Sequence, residues 1–203
     1  MAVNTEPTSR ERVRRAALKL FATKGFHGTG IRDVAQEARL SSASLYHYMG
    51  TKEELLAGLM REALERLLAA ASAAVAGVDD PVERLRRLVA LHVTTHARQP
   101  DETRVVDNEV RALSPRTRRA VVRLRDDYER LWAEAIDDGV RSGAFATDHP
   151  AVTRLALLEM CNGVARWYSP RGAVPLDRLA EHYAGLALRA LGHTESLARA
   201  ERP

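Results

Sequence analysis

Residues 29–54 read TGIRDVAQEARLSSASLYHYMGTKEE, which sets out two short helices joined by a tight turn and the start of a third. Ile31, Val34, Ala35 and Ala38 recur at helical spacing, and the pattern breaks at Leu40 before a cluster of small hydroxylic residues. In the second helix Leu45 and Met49 stand one turn apart and share an inward face, leaving Ser42, Ala43, Tyr46 and His47 pointing outward. A short helix with small and hydrogen-bonding side chains on its free face suits the major groove of B-DNA. Thr51 and Glu54 then form a capping box, in which the hydroxyl accepts a backbone N–H and the carboxylate reaches back. A new helix starts there and places Lys52 at its entrance, beside the groove.

Upstream, Thr8 and Glu11 offer a second capping box after a loose arm over residues 1–7. A helix to about Lys24 presents Val13, Ala16, Ala17, Leu20 and Phe21 on one face, to pack under the helix-turn-helix, and Gly25 stops it. Downstream, a connecting helix of about 52–76 is followed by helices over about 81–98, 102–113, 115–141, 151–168 and 176–191. No alternating strand runs occur, so the fold class is all-α. The expected domains are a helix-turn-helix over 1–50, a helical ligand-binding and dimerisation domain over 51–192, and a disordered tail over 193–203.

The net charge of the 203 residues is only +4, but its placement is uneven. Residues 1–52 hold nine Lys/Arg against four acids, while the remaining 151 carry 22 basic against 23 acidic side chains. The excess positive charge thus lies in the reading head, as phosphate neutralisation requires. The single cysteine, Cys161, excludes an internal disulfide framework, fits a reducing cytoplasm, and reads as a buried small hydrophobe or a redox sensor. The N-terminus MAVNTEPTSRER lacks the apolar core of a secretory signal, and the apolar run Leu67 to Val78 is too short to cross a bilayer. No partner membrane and no cofactor are expected. Nor is there a glycine-rich phosphate loop, an HExxH motif or a nucleophile constellation that would support enzymatic chemistry.

The head resembles the N-terminal DNA-binding domain of the TetR/AcrR transcriptional regulators. The resemblance rests on Gly25-Phe26, Thr29-x-Ile31-x-Asp33-Val34-Ala35, Leu40-Ser41, Ser44-Leu45-Tyr46-x-Tyr48 and Lys52-Glu53-Glu54-Leu55. Arg39 departs from the family's usual turn glycine, and Ala43 from a glycine common in the recognition helix. The resemblance implies DNA contacts from Thr29, Ser42, Ala43, Ser44, Tyr46, His47 and Lys52, with Tyr46, Lys52 and Thr29 positioning phosphates and Ser42, Ala43 and His47 at base edges. It also implies a homodimer on a palindromic double-stranded operator, most often as a repressor, joined through the last helices. Leu176, Leu179, Ala180, Tyr183, Leu186, Ala187, Ala190 and Leu191 of the final helix are compatible with that, or with packing on their own domain.

A small effector would bind within the body. Asn162-x-x-x-Arg166-Trp167-Tyr168-x-Pro170, with Asn108-Glu109-x-Arg111 and Tyr128, looks like the branch that responds to acyl-coenzyme A thioesters of fatty acid, steroid or aromatic catabolism. A buried Arg166 would need an anionic partner, either the coenzyme's phosphates or an acid such as Glu109 or Glu159, with Trp167 filling the core. His92 and His96, one turn apart on a helix, read as metal ligands with Asp107 or Glu109, or as a polar pocket wall or hydrogen-bonded core pair. The alternatives to a ligand-responsive regulator are a small helical metal sensor or metalloenzyme, and an architectural DNA-binding protein without an effector.

Overall fold

Local signals set the helix ends. In the computed structural model, which describes residues 7–193, Thr8 caps α1 (Ser9–Lys24): its hydroxyl accepts the Glu11 N–H at 3.3 Å while the Glu11 carboxylate accepts the Thr8 N–H at 2.7 Å. Gly25, at φ 74°, ends the helix. The short helices α2 (Ile31–Glu37) and α3 (Ser42–Met49) follow, and α4 (Lys52–Val75) opens on the Thr51–Glu54 capping box. The α2–α3 turn closes as a Schellman motif. The Leu40 N–H donates to the Ala35 carbonyl at 2.9 Å and the Arg39 N–H to the Gln36 carbonyl at 3.1 Å, which forces Arg39 to φ 56°. No strand occurs among the described residues.

The chain continues with α5 (Pro81–Arg98), α6 (Pro100–Asn108), α7 (Pro115–Arg141), α8 (Pro150–Asn162), α9 (Val164–Trp167) and α10 (Leu176–Ala190). Two sequence expectations are corrected. The helix expected over 102–113 ends at Asn108, and a 3-10 turn over Val110–Ala112 takes over. Its three-residue period points Val110 and Leu113 the same way, into the N-terminal core. The helix expected over 151–168 divides at Gly163, where the Arg166 N–H bonds three residues back, to the Gly163 carbonyl at 3.0 Å. Asn162 and Arg166 therefore do not share one straight helix face.

Two compact units result, each with its own core. The first comprises the chain up to Glu65 together with Asp101–Arg125, the second Arg66–Pro100 together with the chain from Asp126 onward. The division thus differs from a boundary at residue 50. In the first unit Val105, Val106, Leu113 and Val121 join Val13, Phe21, Leu45 and Met49 in one buried cluster. In the second, Trp132 and Ile136 of α7 pack with Leu85, Leu88 and Val89 of α5. The final helix keeps most of its apolar face inside this unit, since Leu179, Ala180, Tyr183, Ala184, Ala187 and Leu188 are buried and α10 packs chiefly on α5. Exposed apolar side chains occur instead at Val152 and Leu155 of α8. His193, assigned to a disordered tail, is anchored: its N–H donates to the Leu188 carbonyl and its Nδ1 lies 3.0 Å from the Ala144 carbonyl. Residues 194–203, with most of the N-terminal arm, lie outside the described residues.

An L-residue in the left-handed region costs roughly 1–2 kcal/mol, part of which a glycine returns through the entropy of the unfolded chain. Arg39→Gly is accordingly expected to raise stability by about 0.5–1 kcal/mol, read as a higher urea midpoint at unchanged slope.

Candidate nucleic-acid interface and buried polar cluster

The outer face of α3 is built from its N-terminus. The Ser41 hydroxyl accepts the Ser44 N–H at 3.1 Å and lies 2.9 Å from the Ser44 hydroxyl, so Ser44 is engaged in the cap. Leu45 and Met49 are buried, and Ser42, Ala43, Tyr46 and His47 stand exposed, Tyr46 at 57%. Tyr48, which sequence reasoning left out of the contact set, is also exposed and meets the His47 ring edge-on.

Two of the expected phosphate contacts are corrected. Thr29 is only 1% exposed, and its hydroxyl donates to the Gly25 carbonyl at 2.8 Å. It ties the α1–α2 link and has no face to offer a phosphate. Lys52 turns its ammonium inward, donating to the Phe26 and Thr29 carbonyls at 2.8 Å each and lying 4.2 Å from the centre of the Phe26 ring. Three further cations of the head serve structure. Arg12 donates to the Ala38 carbonyl and the Ser9 hydroxyl, Lys19 pairs with Glu37 at 2.6 Å, and Arg14 pairs with Glu62. Apart from the Arg12–Ser9 contact, nothing in the local sequence pattern marks these roles, because the partners lie far apart in the chain.

In the second unit a hydrogen-bonded chain crosses the core. His92 Nδ1 lies 2.9 Å from the Tyr128 hydroxyl and Nε2 lies 2.9 Å from Asn162 Oδ1. The amide oxygen can only accept, so with the amide so oriented the neutral imidazole donates from Nε2 and accepts the Tyr128 O–H at Nδ1. His96 stacks on His92 with ring centroids 4.0 Å apart, and Trp132 meets His92 edge-on. Burial, and after it the neighbouring His96, hold His92 well below the usual imidazole range. Both nitrogens of His92 are thus occupied, and among the described residues no group of three or more His, Cys, Asp or Glu is placed to hold a metal ion. The pair reads as a hydrogen-bonded core pair.

The other expected effector residues separate. Arg166 is exposed, not buried, and Trp167 is 55% exposed and stacks on Tyr183, not filling the core. Asn108 and Glu109 belong to the first unit, where the Glu109 carboxylate lies 3.4 Å from the point a Cβ on Gly25 would occupy. Cys161 is fully buried, and that burial pushes its thiol up to about 12, which leaves it inert as a nucleophile.

Residues 13–59 match the family described as bacterial regulatory proteins, tetR family, and residues 78–191 match the tetracyclin repressor-like C-terminal domain. The chain belongs to the TetR family. It is 29% identical over 177 residues to the HTH-type transcriptional repressor KstR2 of Rhodococcus jostii (strain RHA1), covering 86% of this chain and 87% of that one. The solved structure of the TetR family transcriptional regulator PfmR from Thermus thermophilus is 35% identical, with a TM-score of 0.77 over 88% of this chain and 97% of its own. AibR, solved in complex with isovaleryl coenzyme A and operator DNA, superposes with a TM-score of 0.80 at 23% identity, over 88% of this chain and 97% of its own.

Within this TetR-family head, Lys52→Met removes two hydrogen bonds to a charged donor, each of a kind worth about 1.5–3 kcal/mol when its partner stays buried. It is expected to lower stability by at least about 1.5 kcal/mol by urea unfolding while leaving the salt dependence of DNA binding unchanged. His92 gives a pH prediction. Its folded form holds the proton less well than the unfolded chain, where imidazole titrates at about 6.5. The stability it contributes is therefore complete above about pH 6.5 and is lost as pH falls, by about 1.4 kcal/mol per pH unit. Glu53, Glu54 and Asp138, held below the usual carboxylate range by hydrogen bonds from Ser114, Thr51 and Arg84, titrate beneath this window. The urea midpoint is expected to drop as pH falls from about 6.5 to 5.5, and His92→Gln to flatten that drop.

Proposed function

We propose that this chain is a ligand-responsive transcriptional repressor that binds a palindromic operator as a homodimer and leaves it when a small effector binds. One observation carries the reading: α3 presents Ser42, Ala43, Tyr46, His47 and Tyr48 outward on a head in which Arg12, Thr29 and Lys52 are turned to partners within the protein. Such a face is free to meet base edges, and its helix is fixed in orientation by the Leu45 and Met49 anchors. Ser42, Ala43 and His47 are assigned to bases and Tyr46 to a phosphate. Exposed Val152 and Leu155 on α8 give a second copy an apolar surface to cover. The reading needs no catalytic step, and has the protein act on its operator in the cytoplasm.

The proposed effector class is the acyl-coenzyme A thioester. The KstR2 relatives support a repressor; AibR holds such a thioester, but at 23% identity that likeness speaks for the fold alone. Tyr128, His92 and Asn162 would supply a neutral polar wall against the acyl part. Arg166, being exposed, can meet coenzyme phosphates without the desolvation cost of a buried guanidinium. By linkage, ligand and operator weaken each other by one common factor, typically ~1–3 kcal/mol.

Selection from random duplexes is expected to enrich a palindrome, with His47→Ala reducing preference for it over random duplex about tenfold. Added thioester, but not the free acid, should weaken operator binding, and Arg166→Ala should abolish that response while operator affinity without ligand stays unchanged. Equal operator affinity with and without bound thioester would remove that class of effector.

A further inference from the structure

The first two turns of α7 hold a positive surface that the function so far does not use. Residues 110–125 contain six arginines and no Asp or Glu. Arg116, Arg119 and Arg123 recur at helical spacing, are all exposed, and line one open groove, while Val121 turns the opposite face into the core. Arg118 also lines the groove, but its guanidinium donates to the Leu113 carbonyl. The nearest acids on the helix follow the stripe, Asp126 and then Asp127, and Asp127 pairs with Arg130 at 2.7 Å.

This segment is fixed to the head. The Ser114 N–H donates to Glu53 Oε1 at 2.9 Å, so the start of α7 is capped by the first turn of α4, beside Lys52. Leu113 and Val121 are buried in the same cluster as Leu45 and Met49 of α3. The unit that holds both α3 and the stripe carries 17 Lys/Arg against 12 Asp/Glu, whereas the other unit carries 14 against 15. The excess charge of the molecule is therefore in the unit with the recognition helix. Within that unit Arg12, Arg14, Lys19 and Lys52 of the helix-turn-helix are already committed to protein partners.

We propose that Arg116, Arg119 and Arg123 form a second, sequence-indifferent phosphate-contact surface that extends the DNA footprint beyond α3. The inference rests on the reading of α3 as a DNA reader. A helix that displays guanidinium groups along one exposed face offers donors to successive backbone phosphates, and contacts of that kind set affinity and register without reading bases. Each phosphate neutralised adds about 0.9 to the slope of log affinity against log salt concentration.

The test compares the full-length protein with the triple variant Arg116→Gln, Arg119→Gln, Arg123→Gln and with the corresponding triple Lys variant. Fluorescence anisotropy is read on the selected palindrome and on random duplex from about 50 to 300 mM salt. The Gln variant is expected to weaken binding to both duplexes by the same factor and to lower the salt slope by up to about 2.7 per subunit, with the Lys variant restoring the slope. Preference for the palindrome should be unchanged. An unaltered slope, with the palindrome still bound and still dependent on His47, overturns this inference and leaves the function standing. So does loss of thioester binding with operator binding intact, which would assign the stripe to the effector's phosphates. Failure of the wild-type protein to bind any duplex overturns both.

Discussion

The ammonium of Lys52 reaches from the first turn of α4 to the Phe26 and Thr29 carbonyls, in the link between α1 and α2. The Phe26 carbonyl also accepts the Thr29 N–H at 3.2 Å, and the ammonium adds a charged donor to it and to the Thr29 carbonyl. One lysine thus fixes three elements at once. Phe26 packs on Phe21 of α1, and its ring face meets the same ammonium, so apolar packing and the charge act on one side chain. The orientation of α2, and through the Schellman turn that of α3, follows from where α4 begins.

The second unit solves a different problem by similar means. A histidine, a tyrosine and an amide placed in an apolar core are costly unless each polar atom has a partner, and the Tyr128–His92–Asn162 chain provides them. The chain fixes one tautomer of His92 and keeps it neutral. It also joins α5, α7 and α8 at a single point, so that a group entering there must replace a hydrogen bond with one of its own.

What the sequence made legible was local. The capping boxes at Thr8 and Thr51, the stop at Gly25 and the outward set of α3 follow from spacings of three and four residues, and they stand in the structure. Arg39 was readable as a residue forced into a glycine's place. The roles of Lys52, Arg12 and Glu53 were not readable, because each depends on a carbonyl or N–H more than 20 residues away. For the same reason 101–125 gave no sign that it completes the core of the head. The apolar face of α10 was visible, but periodicity does not say whether a face meets its own domain or another chain. Asn162 and Arg166, four apart, fall on one face only if a single helix runs through Gly163, where the structure divides it.

Internal pairing within the head has a kinetic side. Formal charge counts Arg12, Arg14, Lys19 and Lys52 as available to DNA, yet each already serves a carbonyl or a carboxylate. The charge of Arg12 and Lys52 still draws duplex from a distance, since a hydrogen bond to a carbonyl does not neutralise it, but their donors are already engaged. How much longer the head dwells on its own site than on unrelated duplex is then set by the hydrogen bonds that the outer face of α3 completes there.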